Sequence, residues 1–184
     1  MDSDHRPKGS FAAFLLAQVG AHGAKKFAER LQPLGLTPAH AGILRRLAQS
    51  SGLSQRELAA KLQMHASRLV GVVDEMEKLG LVTRNGNDED RRSYSLELTA
   101  KGKETMREVG RISMEHNAAL CAALTDQERE TLVSLLQRIA DEQGLTPGVH
   151  PGYAQMGDSR LGERRARARE TTKDENRQGL KPLS

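Results

Sequence analysis

Residues 54 to 80, SQRELAAKLQMHASRLVGVVDEMEKLG, constrain the fold more than any other stretch of the chain. Two short apolar patterns of helical period lie within it, and only residues 63 to 65 separate them. Ser54 and Glu57 have the spacing of a capping box, and Gly80 is a residue that commonly ends a helix. The stretch therefore predicts two short helices joined by a tight turn, which is the helix-turn-helix arrangement.

The second of these helices is predicted to present one face to the DNA major groove. Apolar residues recur every three or four positions from Leu69 to Leu79 and predict its buried side. The residues predicted to contact DNA lie at its start and on the opposite side: His65, Ala66, Ser67, Arg68, Gly71 and Lys78. Arg68 can donate two hydrogen bonds to guanine, and Gly71 lets the helix approach the groove wall closely.

Two alternating segments follow this helix and predict a β-hairpin. Leu81 to Arg84 is the first predicted strand and Ser93 to Leu98 is the second. A ribbon beside a reading helix is a wing, whose charged tip would lie over the neighbouring minor groove, where arginine is attracted. The predicted wing contacts are Arg84, Asp90, Arg91 and Arg92, with Asp90 orienting an arginine fork. The alternative is a solvent-exposed hairpin with solvated arginines.

The flanking segments predict further helices and a tail. Thr37-Pro38 is a typical helix start, and Thr125 with Glu128 forms another capping-box pattern. Residues 144 to 184 carry eight Lys or Arg against five Asp or Glu, a net +3 of the chain's +4, and are rich in Gly and Pro. The predicted organisation is a flexible N-terminus (1–9), one domain (10–143) with flanking helices (10–32 and 99–143) around a DNA-binding part (37–98), and a disordered basic tail (144–184).

Composition excludes several other classes of protein. Aromatic residues make up 3% of the chain and Trp is absent, so stacking surfaces for single-stranded nucleic acid are not expected. A single cysteine, Cys121, excludes an intrachain disulfide, and the apolar run after the polar N-terminus is too short for a membrane span. These two features predict a cytoplasmic protein that is not membrane-bound. No phosphate loop, zinc motif or paired nucleophile is present in the sequence, so we expect a protein that is not an enzyme and that needs no cofactor or metal.

The run from Ser54 to Gly102 resembles the helix-turn-helix and wing of the MarR family of bacterial transcription regulators. Its most specific part is Asp90-x-Arg92 followed by Leu98-Thr99-x-x-Gly102, and LTPAHAGILRRLAQ resembles the family's second helix. The resemblance extends over about residues 10 to 142. This chain departs from the family pattern in the turn, where Gln63 stands in place of a frequent Gly. It also has Gly71 where a polar or basic residue is frequent.

The resemblance implies a mainly α fold with a small β-hairpin wing, a winged helix-turn-helix domain flanked by dimerisation helices. It implies a homodimeric regulator of transcription that binds double-stranded DNA at a roughly palindromic operator, most often as a repressor released by a small effector such as an aromatic acid. The residues predicted to line an effector site are Phe14, Gln18, His22, His40, Ile43 and Leu44. The alternative is that these are ordinary core and boundary residues.

Other functions of the same fold stay open from the sequence. Peroxide-sensing members use a cysteine in the first helix, whereas Cys121 lies late in the chain among apolar residues. Zinc-sensing members cluster histidines and carboxylates, whereas the six histidines here are scattered. A winged helix that docks proteins without binding DNA is a further alternative.

Overall fold

The computed structural model describes residues 11–86, 94–150 and 153 of the chain, and these residues form a mainly α-helical fold with one small antiparallel sheet. The helices are α1 (Ala12–Leu31), a short 3-10 helix (Gln32–Leu34), α2 (Pro38–Gln49), α3 (Gln55–Leu62), α4 (Ala66–Lys78), α5 (Ala100–Leu120) and α6 (Asp126–Glu142). The strands are β1 (Leu53–Ser54), β2 (Val82–Gly86) and β3 (Tyr94–Leu98). The predicted fold class is confirmed. Within this part of the chain, no helix is both long enough and apolar enough to cross a membrane.

Side chains at the N-caps explain where several helices begin. Ser54 Oγ accepts from the Glu57 amide at 3.2 Å, and the Glu57 carboxylate accepts from the Ser54 amide at 2.8 Å. Thr125 and Glu128 make the same reciprocal pair at the start of α6. Hydrogen bonds from the Ser54 backbone and hydroxyl lower the pKa of the Glu57 carboxyl below its ordinary value. Both capping boxes predicted from residue spacing are therefore present.

The sheet has the strand order β1-β3-β2, with β3 in the centre. Strands β2 and β3 form the predicted hairpin, and Val82 pairs with Leu98 while Arg84 pairs with Leu96. No sequence pattern predicted β1, a two-residue strand in which Leu53 pairs with Leu96. This short strand fixes the start of α3 to the base of the wing, because α3 begins at the next residue.

The core lies between α2, α3, α4, the sheet and the first half of α5. Its fully buried side chains include Ile43, Leu44, Leu58, Leu69, Met76 and Leu96. By contrast, α6 has no buried residue and α1 buries only Gly23 and Leu31. The two ends of the domain thus carry apolar residues that the rest of the described chain does not cover.

Two boundaries differ from the sequence prediction. The helix after Thr99, whose sequence pattern predicts an end near Leu124, ends at Leu120, because Cys121 leaves the helical conformation. The tail was predicted from residue 144, but residues 144–150 and Tyr153 belong to the described part of the chain. Tyr153 is buried against α2 and is 115 residues distant in sequence from its hydrogen-bond partner Pro38. Contacts between such distant residues leave no local pattern in the sequence.

Candidate nucleic-acid interface

The turn between α3 and α4 is formed by a left-handed residue. Gln63 has φ 50° and ψ 38°, and the amide of Met64 returns to the Ala59 carbonyl at 3.0 Å. Glycine adopts this conformation without steric cost, whereas Gln does so at some cost. The geometry gives a physical reason for a glycine preference in this turn and shows that Gln63 is accommodated. The buried side chain of Met64 anchors the turn to the core.

Helix α4 has one buried side and one outer side, as the apolar spacing predicted. Leu69, Val73 and Met76 are fully buried, while Leu79, which the spacing placed on the same side, is 40% exposed. His65 at the N-cap is exposed and makes no capping hydrogen bond, and Ala66, Ser67 and Lys78 are exposed as well. The predicted contact residues of the helix therefore share one accessible surface. Val70, which the sequence analysis did not select, is also on it and is 40% exposed.

The side chain of Arg68 is half-buried and has no hydrogen-bond or ion-pair partner among the described residues. Its Nε lies out of contact with solvent and is unpaired. A guanidinium is a planar fork of donors and is stabilised by an acceptor in the same plane. Arg68 thus holds a positive charge and unused donors at the first turn of α4.

Gly71 lies one turn further along α4, where a Cβ would meet no atom within 4 Å. The packing of the chain on itself therefore does not require glycine here. Any requirement for glycine at this position must come from something that approaches α4 from outside.

Arg84 of β2 does not present a free guanidinium. It forms ion pairs with Asp74 and Glu77, both on α4. The Gln55 amide of α3, when its oxygen faces the guanidinium, accepts from Nη2 at 2.9 Å. Burial opposes the charge of Arg84, but the two carboxylates outweigh it and raise its pKa above the ordinary value. The structure places the Arg84 guanidinium between β2, α4 and α3, and its predicted contact with DNA stays a prediction.

The base of the wing is positioned by the junction between α4, β2 and α5. Thr99 Oγ1 accepts from the Gly102 amide at 2.9 Å and donates to the Gly80 carbonyl at 2.7 Å. A Cβ at Gly102 would lie 2.0 Å from the Leu81 carbonyl oxygen, so only glycine fits. Lys101 Nζ donates to the Leu79 carbonyl at 2.8 Å. The Leu-Thr-x-x-Gly motif is therefore the joint that holds α5 against the end of α4.

The wing tip lies outside the described residues. Asp90, Arg91 and Arg92 are in the segment 87–93, so the predicted wing contacts remain predictions. The described strands lead towards this segment from both sides, with Gly86 paired to Tyr94 at the outer end of the hairpin.

His40 connects α2 to α4. Its Nδ1 accepts from the Thr37 amide at 3.1 Å, and the Thr37 hydroxyl accepts from the His40 amide at 3.4 Å, so the pair caps α2. Because Nδ1 is an acceptor, the neutral ring carries its proton on Nε2, which lies 3.5 Å from a Glu75 carboxylate oxygen. Burial lowers the pKa of His40, while Glu75 acts in the opposite direction.

The residues predicted to line an effector site do not form one group. Ile43 and Leu44 are fully buried core residues, and His40 is the buried cap described above. Gln18 and His22 instead line a groove of about 560 Å³ between α1 and α5, together with Lys26, Arg30 and His116. Phe14 is largely exposed on α1. Lys26 and Arg30 of this groove were not among the predicted residues, although they follow His22 at helical spacing.

Two features of the described part of the chain bear on the metal-sensing and peroxide-sensing alternatives. No group of three or more His, Cys, Asp or Glu side chains is placed to hold a metal ion there. Cys121 is a half-buried free thiol at the end of α5.

A helix-turn-helix with an accessible second helix, followed by a wing and a fixed joint to α5, defines the winged helix-turn-helix class of DNA-binding proteins. The sequence profile of the MarR family matches residues 34–93, which include the helix-turn-helix and the first strand of the wing, β2. The chain is 33% identical over 144 residues to a protein of Thauera aromatica described as a transcriptional regulator for the hcr operon. The match covers 78% of this chain and 81% of that protein.

Other relatives are also transcriptional repressors or share the same fold. An HTH-type transcriptional repressor of Mycobacterium tuberculosis is 29% identical over 140 residues, which cover 76% of this chain and 98% of the repressor. The structure of the repressor CouR bound to a 23-mer DNA duplex is 28% identical, with a TM-score of 0.65 over 76% of this chain and 99% of that one. Wild-type Escherichia coli MarR, at 23% identity and a TM-score of 0.63 over 72% of this chain and 98% of that one, shares the fold.

The chain belongs to the MarR family and is a DNA-binding transcriptional regulator. The prediction that it is not an enzyme is confirmed, because the family and its relatives are transcriptional regulators.

Proposed function

We propose that the protein is a dimeric repressor that inserts α4 into the major groove of a roughly palindromic operator and is released by a small anionic effector. Arg68 carries this proposal, because its guanidinium has no partner in the described chain and lies at the first turn of α4. Residues at the start of a reading helix reach base edges, and an arginine there pairs with guanine through two hydrogen bonds.

The first experiment locates the operator. Footprinting of the DNA upstream of the protein's own gene should show protection of two half-sites about one helical turn apart. Arg68→Ala should weaken binding to that site by about 1–3 kcal/mol and binding to random duplex by less. An equal loss of affinity on both DNAs would show that Arg68 contacts phosphate and not a base. The absence of any protected site in the footprint would refute operator binding.

The wing contact is proposed from the sequence of the tip. Replacing both Arg91 and Arg92 by Ala should weaken binding to all duplexes and lower the slope of log K against log salt by roughly one to two per protomer. An unchanged slope would show that the wing makes no phosphate contact.

The dimer is proposed from the uncovered apolar residues of α1 and α6. On α6, Val133, Leu135 and Ile139 are 65%, 47% and 46% exposed, although they lie on a regular helix with a well-formed cap. On α1, Phe14 and Val19 are 65% and 52% exposed. Exposed apolar area of this kind is typical of an interface between subunits, and two-fold symmetry would place two copies of α4 on one side of the DNA.

Sedimentation velocity tests the dimer directly. Ile139→Asp should shift the protein towards a monomer and weaken operator binding, whereas the control Gln127→Asp, at a polar position of the same helix, should not. A dimer that survives Ile139→Asp together with Leu135→Asp would show that α6 is not the interface.

The effector proposal rests on the groove between α1 and α5. His22, Lys26 and Arg30 line it, and desolvation lowers the pKa of His116 on its other wall. Cations beside apolar side chains suit a small aromatic acid. We expect such acids to weaken operator binding, and Lys26→Gln with Arg30→Gln to reduce that response. Operator affinity that no aromatic acid changes would refute this part of the proposal.

A further inference from the structure

The chain that follows α6 returns to the DNA-binding part of the same molecule. Gly144, with φ 63°, lies just beyond the end of α6. We call residues 146–150 together with Tyr153 the C-terminal strap. Within the strap, the Tyr153 amide donates to the His150 carbonyl at 2.9 Å, and the rings of these two residues lie 5.8 Å apart. These internal contacts give the strap a defined shape.

Gly42 of α2 makes the seat for Tyr153. A Cβ at Gly42 would overlap the Tyr153 hydroxyl oxygen and would lie 2.7 Å from the adjacent ring carbon. The Tyr153 hydroxyl donates to the Pro38 carbonyl at 3.3 Å, and only 8% of the residue is exposed. The seat fixes one end of the strap on α2, and it exists because residue 42 has no side chain.

The other end of the strap is bonded to the turn between α3 and α4. Gln63 Nε2 donates to Thr146 Oγ1 at 2.8 Å. Gln63 is also the only non-glycine residue with a positive φ in the described part of the chain. Glycine would adopt this conformation at less cost, but it has no side chain that could reach Thr146. The bond to the strap thus gives a physical reason for glutamine at a position whose backbone favours glycine.

The reading helix α4 is consequently connected to the flanking helices at both of its ends. Beyond its C-terminal end, the Gly80 carbonyl accepts from Thr99 Oγ1 at 2.7 Å, at the start of α5. Before its N-terminal end, Gln63 is bonded to the strap, which continues the chain from α6. Since α6 buries no residue of its own, the strap provides a buried contact between this end of the chain and the DNA-binding part.

We propose that the strap is a second anchor of the reading helix, with Gln63 and Tyr153 as positioning residues for DNA binding. A helix held at one end can turn about that end, whereas a helix held at both ends keeps its orientation to the helices that flank it. In the dimer of the proposed function, on which this inference rests, that orientation sets the distance between the two copies of α4. The strap therefore narrows the range of half-site spacings that the dimer accepts.

Amide hydrogen exchange of the full-length protein without DNA tests the anchor. Thr146→Val removes the acceptor of the Gln63 bond with little change in shape. The amides of Gln63 and Met64, whose hydrogen bonds close the turn, should then exchange about threefold to tenfold faster than in the wild type. Thr146→Ser keeps the hydroxyl and should exchange as the wild type does.

The seat offers a second route to the same result. Gly42→Ala should speed exchange in the turn as Thr146→Val does while the melting temperature is retained, because alanine suits a helix but displaces Tyr153. Gly110→Ala, at a helical glycine with no atom near its Cβ, is the matched control and should exchange as the wild type does.

Operator titration connects the anchor to DNA. The wild type should lose affinity when a base pair is inserted between the two half-sites. In Thr146→Val and Gly42→Ala, the ratio of affinities for the native and the lengthened operator should fall about threefold or more. A loss of stability alone would lower both affinities by the same factor and leave this ratio unchanged.

The two measurements separate the possible failures. Exchange at the wild-type rate in both Thr146→Val and Gly42→Ala would overturn the anchor. Faster exchange with an unchanged affinity ratio would overturn its role in half-site spacing. A wild-type protein that protects no operator would instead contradict the proposed function, and the exchange rates would still decide whether the strap holds the turn.

Discussion

Replacement of Arg84 by Gln separates a positioning role from a DNA contact. The side chain of Arg84 is 21% exposed, while those of its partners Asp74 and Glu77 are 47% and 42% exposed. Solvent on the carboxylate side weakens such pairs, and exposed ion pairs contribute about 0.2–1 kcal/mol each. The loss of two pairs should therefore lower the free energy of unfolding by about 0.4–2 kcal/mol.

The effect of Arg84→Gln on DNA binding should differ from that of a lost phosphate contact. If Arg84 only holds the wing against α4, affinity should fall while the slope of log K against log salt stays at the wild-type value. A lost phosphate contact would lower that slope by about 0.9 per protomer. Lys78→Gln, at an exposed position of α4, is the control and should leave the stability unchanged.

Urea denaturation gives the stability, and operator titrations at several salt concentrations give the slope. Unchanged stability combined with a reduced slope would refute the positioning role. In that case Arg84 would leave its carboxylates for DNA phosphate when the complex forms.

Three other substitutions test the structure. Gly102→Ala should destabilise the protein by roughly 1–3 kcal/mol in urea, because its Cβ would overlap the Leu81 carbonyl; stability equal to wild type would show that the joint can shift freely. His40 should make the protein less stable as pH falls from about 7.5 to about 5.5, because burial lowers its pKa in the folded state and the unfolded chain binds the proton more readily. Urea midpoints across this range should fall less for His40→Asn than for wild type, and equal falls would exclude His40 as the cause. Gly71→Ala should stabilise the free protein by up to about 1 kcal/mol yet weaken operator binding, as measured by urea melts and DNA titration; unweakened binding would show that DNA does not approach Gly71 closely.

Local hydrogen bonds were the most predictable part of the fold. The caps at Thr37, Ser54 and Thr125 each join residues three positions apart, so sequence spacing alone reveals them. The same spacing would have shown that His40 completes the cap of Thr37, had histidine been considered at that position. The accessible side of α4 was predictable for the same reason, because the helical period fixes which residues face the core.

Contacts between distant residues were not predictable from the sequence. Arg84 was selected as a DNA contact because arginines on a wing commonly serve that purpose. Its partners on α4 follow from the close approach of β2 to that helix, which no local pattern shows. The seat of Tyr153 on Gly42 likewise depends on the path of the chain after α6, which no local pattern shows.

The joint formed by Thr99 and Gly102 makes α5 a lever. Its 21 residues span about 31 Å, and its first turn is fixed to the end of α4 through the carbonyls of Gly80 and Leu81. A tilt of about 5° about the far end of such a rod would move the near end by roughly 3 Å, which is close to the rise of one base pair of DNA. At the far end, Leu120 packs within 3.1 Å of the position that a Cβ on Gly23 would occupy. In the proposed dimer, a tilt of α5 about this contact would therefore change the distance between the two reading helices.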